Sequence, residues 1–381
     1  MDFNFTQEQR QMADSLKRWV GRDYGFEERA RIVASAEGVS AAAWQALAEL
    51  GMLALPLPQE QGGFDGSALD LFIVMRELGH GLVVEPYFAT VLAVHLLKLG
   101  GRHGGLLEQV GAGGLTLAVA LTERQSRYDL ADIATSLTAQ GGDYLLDGAK
   151  VAVAHGAQAG AVVVSARSAG RQRERAGISL VVVPLDAPGV SVTGYRTLDG
   201  QRAANIAFDQ VRLPATALVC APGAAWELLD AGADHGAALL CAEALGAMEA
   251  VFDATLAYLK ARTQFGAPIG KFQALQHRMA DMAIHLEQAR SMALLAAAKA
   301  DSADPGERRC AVSAAKYRVG QAQKFIGQQA VQLHGGMGVT DELPVSHYFK
   351  RLAMIELTLG DTSHHLRRFI AQPGFAHAEA A

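Results

Sequence analysis

The sequence predicts an α+β chain, mainly α, in three parts: a helical N-terminal domain, a middle β-barrel or sandwich domain, and a C-terminal four-helix bundle. Three observations predict it. Apolar residues recur at helical spacing in both end regions, short β-branched runs separated by Gly, Asp and Pro fill the middle, and Gly- and Pro-bearing breaks divide the last third into long helical segments. The expected domains are residues 1–112, 113–222 and 223–381. A chain of 381 residues is too long for one typical core, so several domains are expected on size alone.

In the first domain, Thr6 followed by Gln9 fits a capping box, in which hydroxyl and amide satisfy backbone donors of the first helical turn. Ser67 and Asp70 offer a looser version of that device before LDLFIVMRELG. The Pro- and Gly-rich passage Leu53 to Gly66 cannot be helix throughout and reads as a connector. In the middle, LTLAVAL, SLTAQGGDYLLDG, AVVVSARS and ISLVVVPL carry the grammar of strands and hairpins. Between two of them, the arginines of Ala166 to Gly177 can either form a solvated loop or meet a phosphate.

The C-terminal part turns on Arg262 to Met282, RTQFGAPIGKFQALQHRMADM. Leu245, Met248, Phe252, Leu256 and Leu259 fall on one helical face upstream, and Phe272, Leu275, Met279, Met282 and Leu286 on another downstream. Gly266, Pro268 and Gly270 break the backbone between them, which makes a helical hairpin. Its corner clusters Arg262, Gln264, Gln273 and Gln276 around Phe265. Forked, permanently charged Arg suits phosphate, and Gln amides suit ribose or ring edges, so the corner can hold a phosphate-bearing cofactor. The alternative is a capped corner with surface salt bridges.

Composition narrows the function. Half the residues are hydrophobic and the net charge is −5, as in a globular protein with no basic excess for nucleic acid. Apolar windows such as Val91 to Leu99 are too short to span a bilayer. The N-terminus lacks the apolar run of a secretory signal, so a cytoplasmic location is expected. The three cysteines, Cys220, Cys241 and Cys310, lack metal-ligand spacing and read as reduced thiols, and no metal site is expected.

The corner motif, R-x-Q-F-G-x-P-I-G-x-F-Q-x-x-Q-H-x-x-A-D-M, resembles the signature of the acyl-CoA dehydrogenase flavoproteins, as does QLHGGMGVTDELPVSHYFKR, Gln332 to Arg351. The likeness runs from FNFTQEQ to LGDTSHHLRR. DHGAALLCAEALGAMEA and LGDTSHHLRRF resemble the small-subunit type of pimeloyl-CoA dehydrogenase. The resemblance implies FAD, an acyl-CoA substrate, an electron-transfer flavoprotein as electron acceptor, and a tetramer of identical or homologous subunits.

By the same resemblance, Arg262, Phe265 and Gln273 contact FAD, while Gln332, Leu333, His334, Gly335 and Gly336 meet the FAD of an adjacent chain. Leu121 and Thr122 would border the flavin ring, Asp361, Thr362 and Ser363 would touch the cofactor, and Tyr128, Leu359 and Gly360 would face substrate. His334 also reads as a hydrogen-bonded structural histidine. The family's proton-abstracting Glu corresponds to Leu359, and its alternative position falls near Gly236. Neither is an acid. Asp361 and Asp234, each two residues away, are the candidates for a displaced base; a homologous partner chain carrying the Glu, or altered chemistry, are the other readings. Asp361 also has the residue type that favours capping the helix SHHLRRFI.

Overall fold

The computed structural model describes residues 5–373. Phe3 and Asn4 of the opening motif lie outside the described residues. Six helices come first: α1 (Gln7–Asp23), α2 (Phe26–Ala34), α3 (Ala41–Glu49), α4 (Ala68–His80), α5 (Tyr87–Gly100) and α6 (Gly104–Gly111). Seven strands follow: β1 (Leu117–Ala120), β2 (Ser136–Gln140), β3 (Asp143–Ala154), β4 (Ala161–Arg167), β5 (Ile178–Pro184), β6 (Val190–Arg196) and β7 (Arg202–Pro214). Then come α7 (Trp226–Ala261), a small hairpin of β8 (Thr263–Gln264) and β9 (Ala267–Pro268), and α8 (Gln273–Ala300), α9 (Pro305–His334), α10 (Pro344–Leu357) and α11 (Thr362–Ile370). The last of the expected long segments is thus two helices, separated by the turn that contains Leu359.

The chain divides into two compact units. One comprises residues up to Arg31, Ala68–Val83 and the chain from Asp234 onward; the other comprises Ile32–Ser67 and Val84–Ala233. Helices of the expected N-terminal domain therefore contribute to both.

In the first unit the capping box forms as the sequence predicts: Gln9 N–H donates to Thr6 Oγ1 at 3.2 Å, and Thr6 N–H donates to Gln9 Oε1 at 3.0 Å. α4 and α7 meet backbone to backbone through reciprocal glycines. A Cβ at Gly79 would lie 2.1 Å from the Glu243 carbonyl oxygen, and one at Gly246 would lie 1.8 Å from that of Arg76. Only glycine permits this approach. α8 and α9 bury alanine-rich faces, including Ala289, Ala293 and Ala296 on one and Ala311, Ala315 and Ala322 on the other.

In the second unit the strands form one sheet in the order β1-β4-β2-β3-β7-β6, with β5 paired to β4. β1 runs parallel to β4, whereas β2–β3, β3–β7, β4–β5 and β6–β7 are antiparallel. Strands β4 and β5 are buried along nearly their whole length, as their continuous apolar runs require. β6 and β7 lie beyond the four runs that the sequence pattern marks; β6 is an exposed edge with little apolar signal.

Candidate active site

Two helix ends and a hairpin converge in the first unit. α7 stops at Ala261, the β8–β9 hairpin reverses the chain, and α9 ends at His334. Arg262 is fixed by its own backbone, donating to Tyr258 O and accepting from Ile269 N–H, both at 2.8 Å. At the hairpin tip Phe265 (φ +52°) and Gly266 (φ +77°) both take left-handed backbone, the pair of angles a tight two-residue turn demands. For an aromatic residue this conformation is strained. It holds the Phe265 ring 92% exposed, edge-on to Phe272 at 6.1 Å.

Arg262 and Gln264 line a cleft of about 330 Å³ together with Gln332, Leu333, His334 and Gly335. Tyr258, Ile269, Leu275 and Arg278 complete its wall. None of these lining residues is an acid. Among the described residues Arg262 has no carboxylate partner, so the salt-bridged corner is not what forms. Gln276 serves the corner itself, donating to Gly270 O at 3.0 Å. The sequence reading divides Arg262 and Gln332–Gly336 between two cofactors; the structure brings Arg262 and Gln332–Gly335 to one cleft.

His334 is the hydrogen-bonded histidine of the second reading and also lines the cleft. Its Nδ1 lies 2.8 Å from Ala330 O. A carbonyl only accepts, so Nδ1 carries the proton. Burial lowers the pKa of the ring, which is therefore neutral with Nε2 as an acceptor, and it stacks on Tyr258 at 4.3 Å. Gly335 ends α9 at φ +60°, ψ −140°, a region closed to residues with a Cβ. A Cβ at Gly335 or Gly336 would meet no atom within 4 Å, so neither glycine is needed for packing. Their exposed backbone can approach a phosphate. These groups fit FAD: guanidinium forks for phosphate and amides for ribose.

The turn between α10 and α11 carries Leu359 at φ +55° and Gly360 at φ +111°. Lys316 of α9 is buried beneath it and donates to the carbonyls of Ile355 (2.9 Å), Glu356 (3.3 Å) and Gly360 (3.0 Å). His365 Nε2 lies 3.0 Å from Leu359 O, and burial holds this ring well below its ordinary pKa, hence neutral with the proton on Nε2. A Cβ at Gly360 would lie 2.6 Å from His364, so the turn needs glycine both for angle and for space. Glu356 accepts from Thr362 N–H at 2.7 Å and from Thr362 Oγ1. Ser363 is exposed.

The two displaced-base candidates have other work. Asp361 caps α11, accepting from His364 N–H at 2.7 Å. Asp234 is buried, with Oδ2 accepting from Arg308 Nε at 2.9 Å and Oδ1 from Arg368 Nη1. Each of its oxygens is engaged by a guanidinium.

In the second unit Leu121 is buried and Thr122 half-buried, with Thr122 O accepting from Val151 N–H at 2.8 Å. Half-buried Tyr128 sits in the loop that follows, apart from any strand. That loop is anchored by Glu123, which the sequence reading missed. Its carboxylate accepts from buried Lys150 Nζ at 2.7 Å, from Ala134 N–H at 2.8 Å and from Thr135 N–H at 3.1 Å. Burial opposes the Glu123 charge, but Lys150 and these donors outweigh it and hold the pKa at about 2. The arginines of Ala166 to Gly177 hold their own loop rather than offering a phosphate site. Arg167 donates to the carbonyls of Ala131, Gln172, Glu174 and Ala176, Arg173 pairs with Asp132, and Arg175 lies over Trp226.

Comparison with known proteins agrees with this architecture. The family description "Acyl-CoA dehydrogenase, N-terminal domain" matches residues 6–103, the middle domain 118–211 and the C-terminal domain 224–373. The mitochondrial short-chain specific acyl-CoA dehydrogenase of Bos taurus is 30% identical over 91% of this chain and 86% of its own length. The probable acyl-CoA dehydrogenase YngJ of Bacillus subtilis is 28% identical over 97% and 98%. A solved structure, a variant of the Tcur3481-Tcur3483 steroid ACAD, is 28% identical with a TM-score of 0.88 and covers 98% of this chain and 99% of its own. The chain belongs to the acyl-CoA dehydrogenase family of oxidoreductases.

Proposed function

We propose that this chain is the FAD-binding subunit of an acyl-CoA dehydrogenase that converts an acyl-CoA to its trans-2-enoyl-CoA, and that a homologous partner chain supplies the proton-abstracting carboxylate. The observation that carries this reading is the turn at Leu359, where the family's Glu has no counterpart and the nearby acids Glu356 and Asp361 are tied to Thr362 and His364. FAD, when bound, supplies the acceptor for the hydride leaving the β-carbon. Arg262, Gln264 and Gln332 bind its phosphate and sugar, with Phe265 and Gln273 beside it, and Leu333, His334, Gly335 and Gly336 closing the end of α9. By the family resemblance, Leu121 and Thr122 would border the ring, Leu359, Gly360 and Tyr128 would face the thioester, and Thr362 and Ser363 would meet the cofactor.

A base must reach the acidified α-proton, and an apolar Leu359 side chain can neither accept nor hold it. The assembly is a tetramer containing a Glu-bearing homologue, electrons pass to an electron-transfer flavoprotein, and the likeness to the pimeloyl type favours a dicarboxylic or medium-length acyl group. Domain limits near residues 112 and 222 follow the change from helix to strand and back. Three free cysteines support a reducing, cytoplasmic setting, and no helix among the described residues is long and apolar enough to cross a membrane.

Anaerobic titration of the FAD-loaded chain with a panel of acyl-CoAs tests this. The wild type alone should keep its oxidised-flavin absorbance, and addition of the Glu-bearing homologue, or the L359E substitution, should allow bleaching. Bleaching by the wild type alone would place the base in this chain and make D361N the next variant. Failure to retain any FAD would overturn the reading altogether.

A further inference from the structure

The cleft contains a cation that no motif assigned. Arg278 lies three residues after Leu275 on α8, so both project from one helical face, and both line the cleft with Arg262. Its one hydrogen bond among the described residues is to Gln329 Oε1, 3.3 Å away on α9, one turn before Leu333. It has no carboxylate partner among them. Asp281, at the helical spacing where a pair would form, does not take it.

We propose that Arg278 is a second phosphate-binding residue, and that Arg262 and Arg278 together hold the two phosphates of the dinucleotide. The inference rests on the assignment of this cleft to FAD. Two permanent positive charges share a cleft whose lining has no acid and whose histidine is neutral. Like charges so placed repel, and burying them under a ligand without a counter-charge costs free energy. A ligand bearing two adjacent negative groups removes both penalties, and each guanidinium presents a fork matched to phosphate oxygens. A single phosphate would satisfy only one. The neutral polar lining, Gln264, Gln332 and the acceptor Nε2 of His334, suits hydroxyls rather than further charge.

The test measures equilibrium binding of FAD, ADP and riboflavin to the full chain freed of flavin, for wild type, R262A, R278A and R278K, with thermal midpoints recorded on the same samples. Loss of one charge-assisted contact should weaken FAD and ADP about 10- to 100-fold in R278A. R278K should recover part of that loss, riboflavin binding should not change, and FAD affinity in R278A should fall less steeply with salt. If R278A binds FAD and ADP like wild type while R262A does not, Arg278 has no such role and the FAD site stands. Equal weakening of riboflavin would also overturn the inference, as the mark of a general structural defect. If wild type binds neither FAD nor ADP, the cleft assignment itself fails.

Discussion

Two sets of arginines in the same unit behave in opposite ways. Around the bundle core, Arg308 and Arg368 meet Asp234, Arg351 forms a two-pronged pair with Glu243 at 2.6 and 2.8 Å, and Arg76 and Arg290 meet Glu249. At the cleft, Arg262 and Arg278 have no acid. A buried guanidinium must be neutralised by the chain itself, because nothing else reaches it. An exposed one left unpaired beside glycines and amides is free to take its anion from outside. The difference separates charges that hold the fold from charges that await a ligand.

The contrast predicts its own largest effect. D234A leaves two guanidiniums facing a buried void and should cost about 3–5 kcal/mol. Chemical denaturation measures it, and a loss under 1 kcal/mol would mean that solvent reaches this site. A base role would instead leave stability intact and abolish turnover.

Adjacent glycines sharpen the same comparison at the end of α9. G335A forces a Cβ into φ +60°, ψ −140° and should cost about 1–3 kcal/mol. G336A, where the added carbon meets no atom within 4 Å, should change stability by less than about 0.5 kcal/mol. Differential scanning calorimetry of the two variants separates backbone strain from ligand contact, because G336A should then reveal any crowding of FAD by itself.

A further effect depends on pH and lies in the second unit. The folded pKa of Glu123, about 2, is below the ordinary 4.5, so its contribution is complete above the unfolded value and is lost as pH falls through the folded one. Acidification from pH 4.5 toward 2 should therefore weaken the wild type. E123Q should start less stable and show a shallower acid limb in thermal unfolding. Identical slopes would mean that the Lys150–Glu123 pair is not ionised in the folded chain.

Much of this was legible in the residues, and what was not has a physical cause. Leu245, Met248 and Leu259, with Met279, Met282 and Leu286, are all buried as their helical spacing predicts, because local periodicity records which face a helix covers. Capping at Thr6 and Asp361 is likewise local chemistry. The partners of Asp234 stand 74 and 134 residues away, and no spacing rule encodes such pairing. Arg278 was hidden for a similar reason: only the end of α9, some fifty residues on, turns one helical position into a cleft wall. The left-handed Phe265 contradicts its own propensity, and the tight β8–β9 pairing overrides it.

The most direct test of the division between fold charges and ligand charges is flavin binding by R262A, measured beside its unfolding midpoint. The expected result is an FAD affinity lowered about 10- to 100-fold with the midpoint of the flavin-free chain unchanged. Undiminished flavin retention in R262A, or a fall in stability like that of D234A, would contradict it.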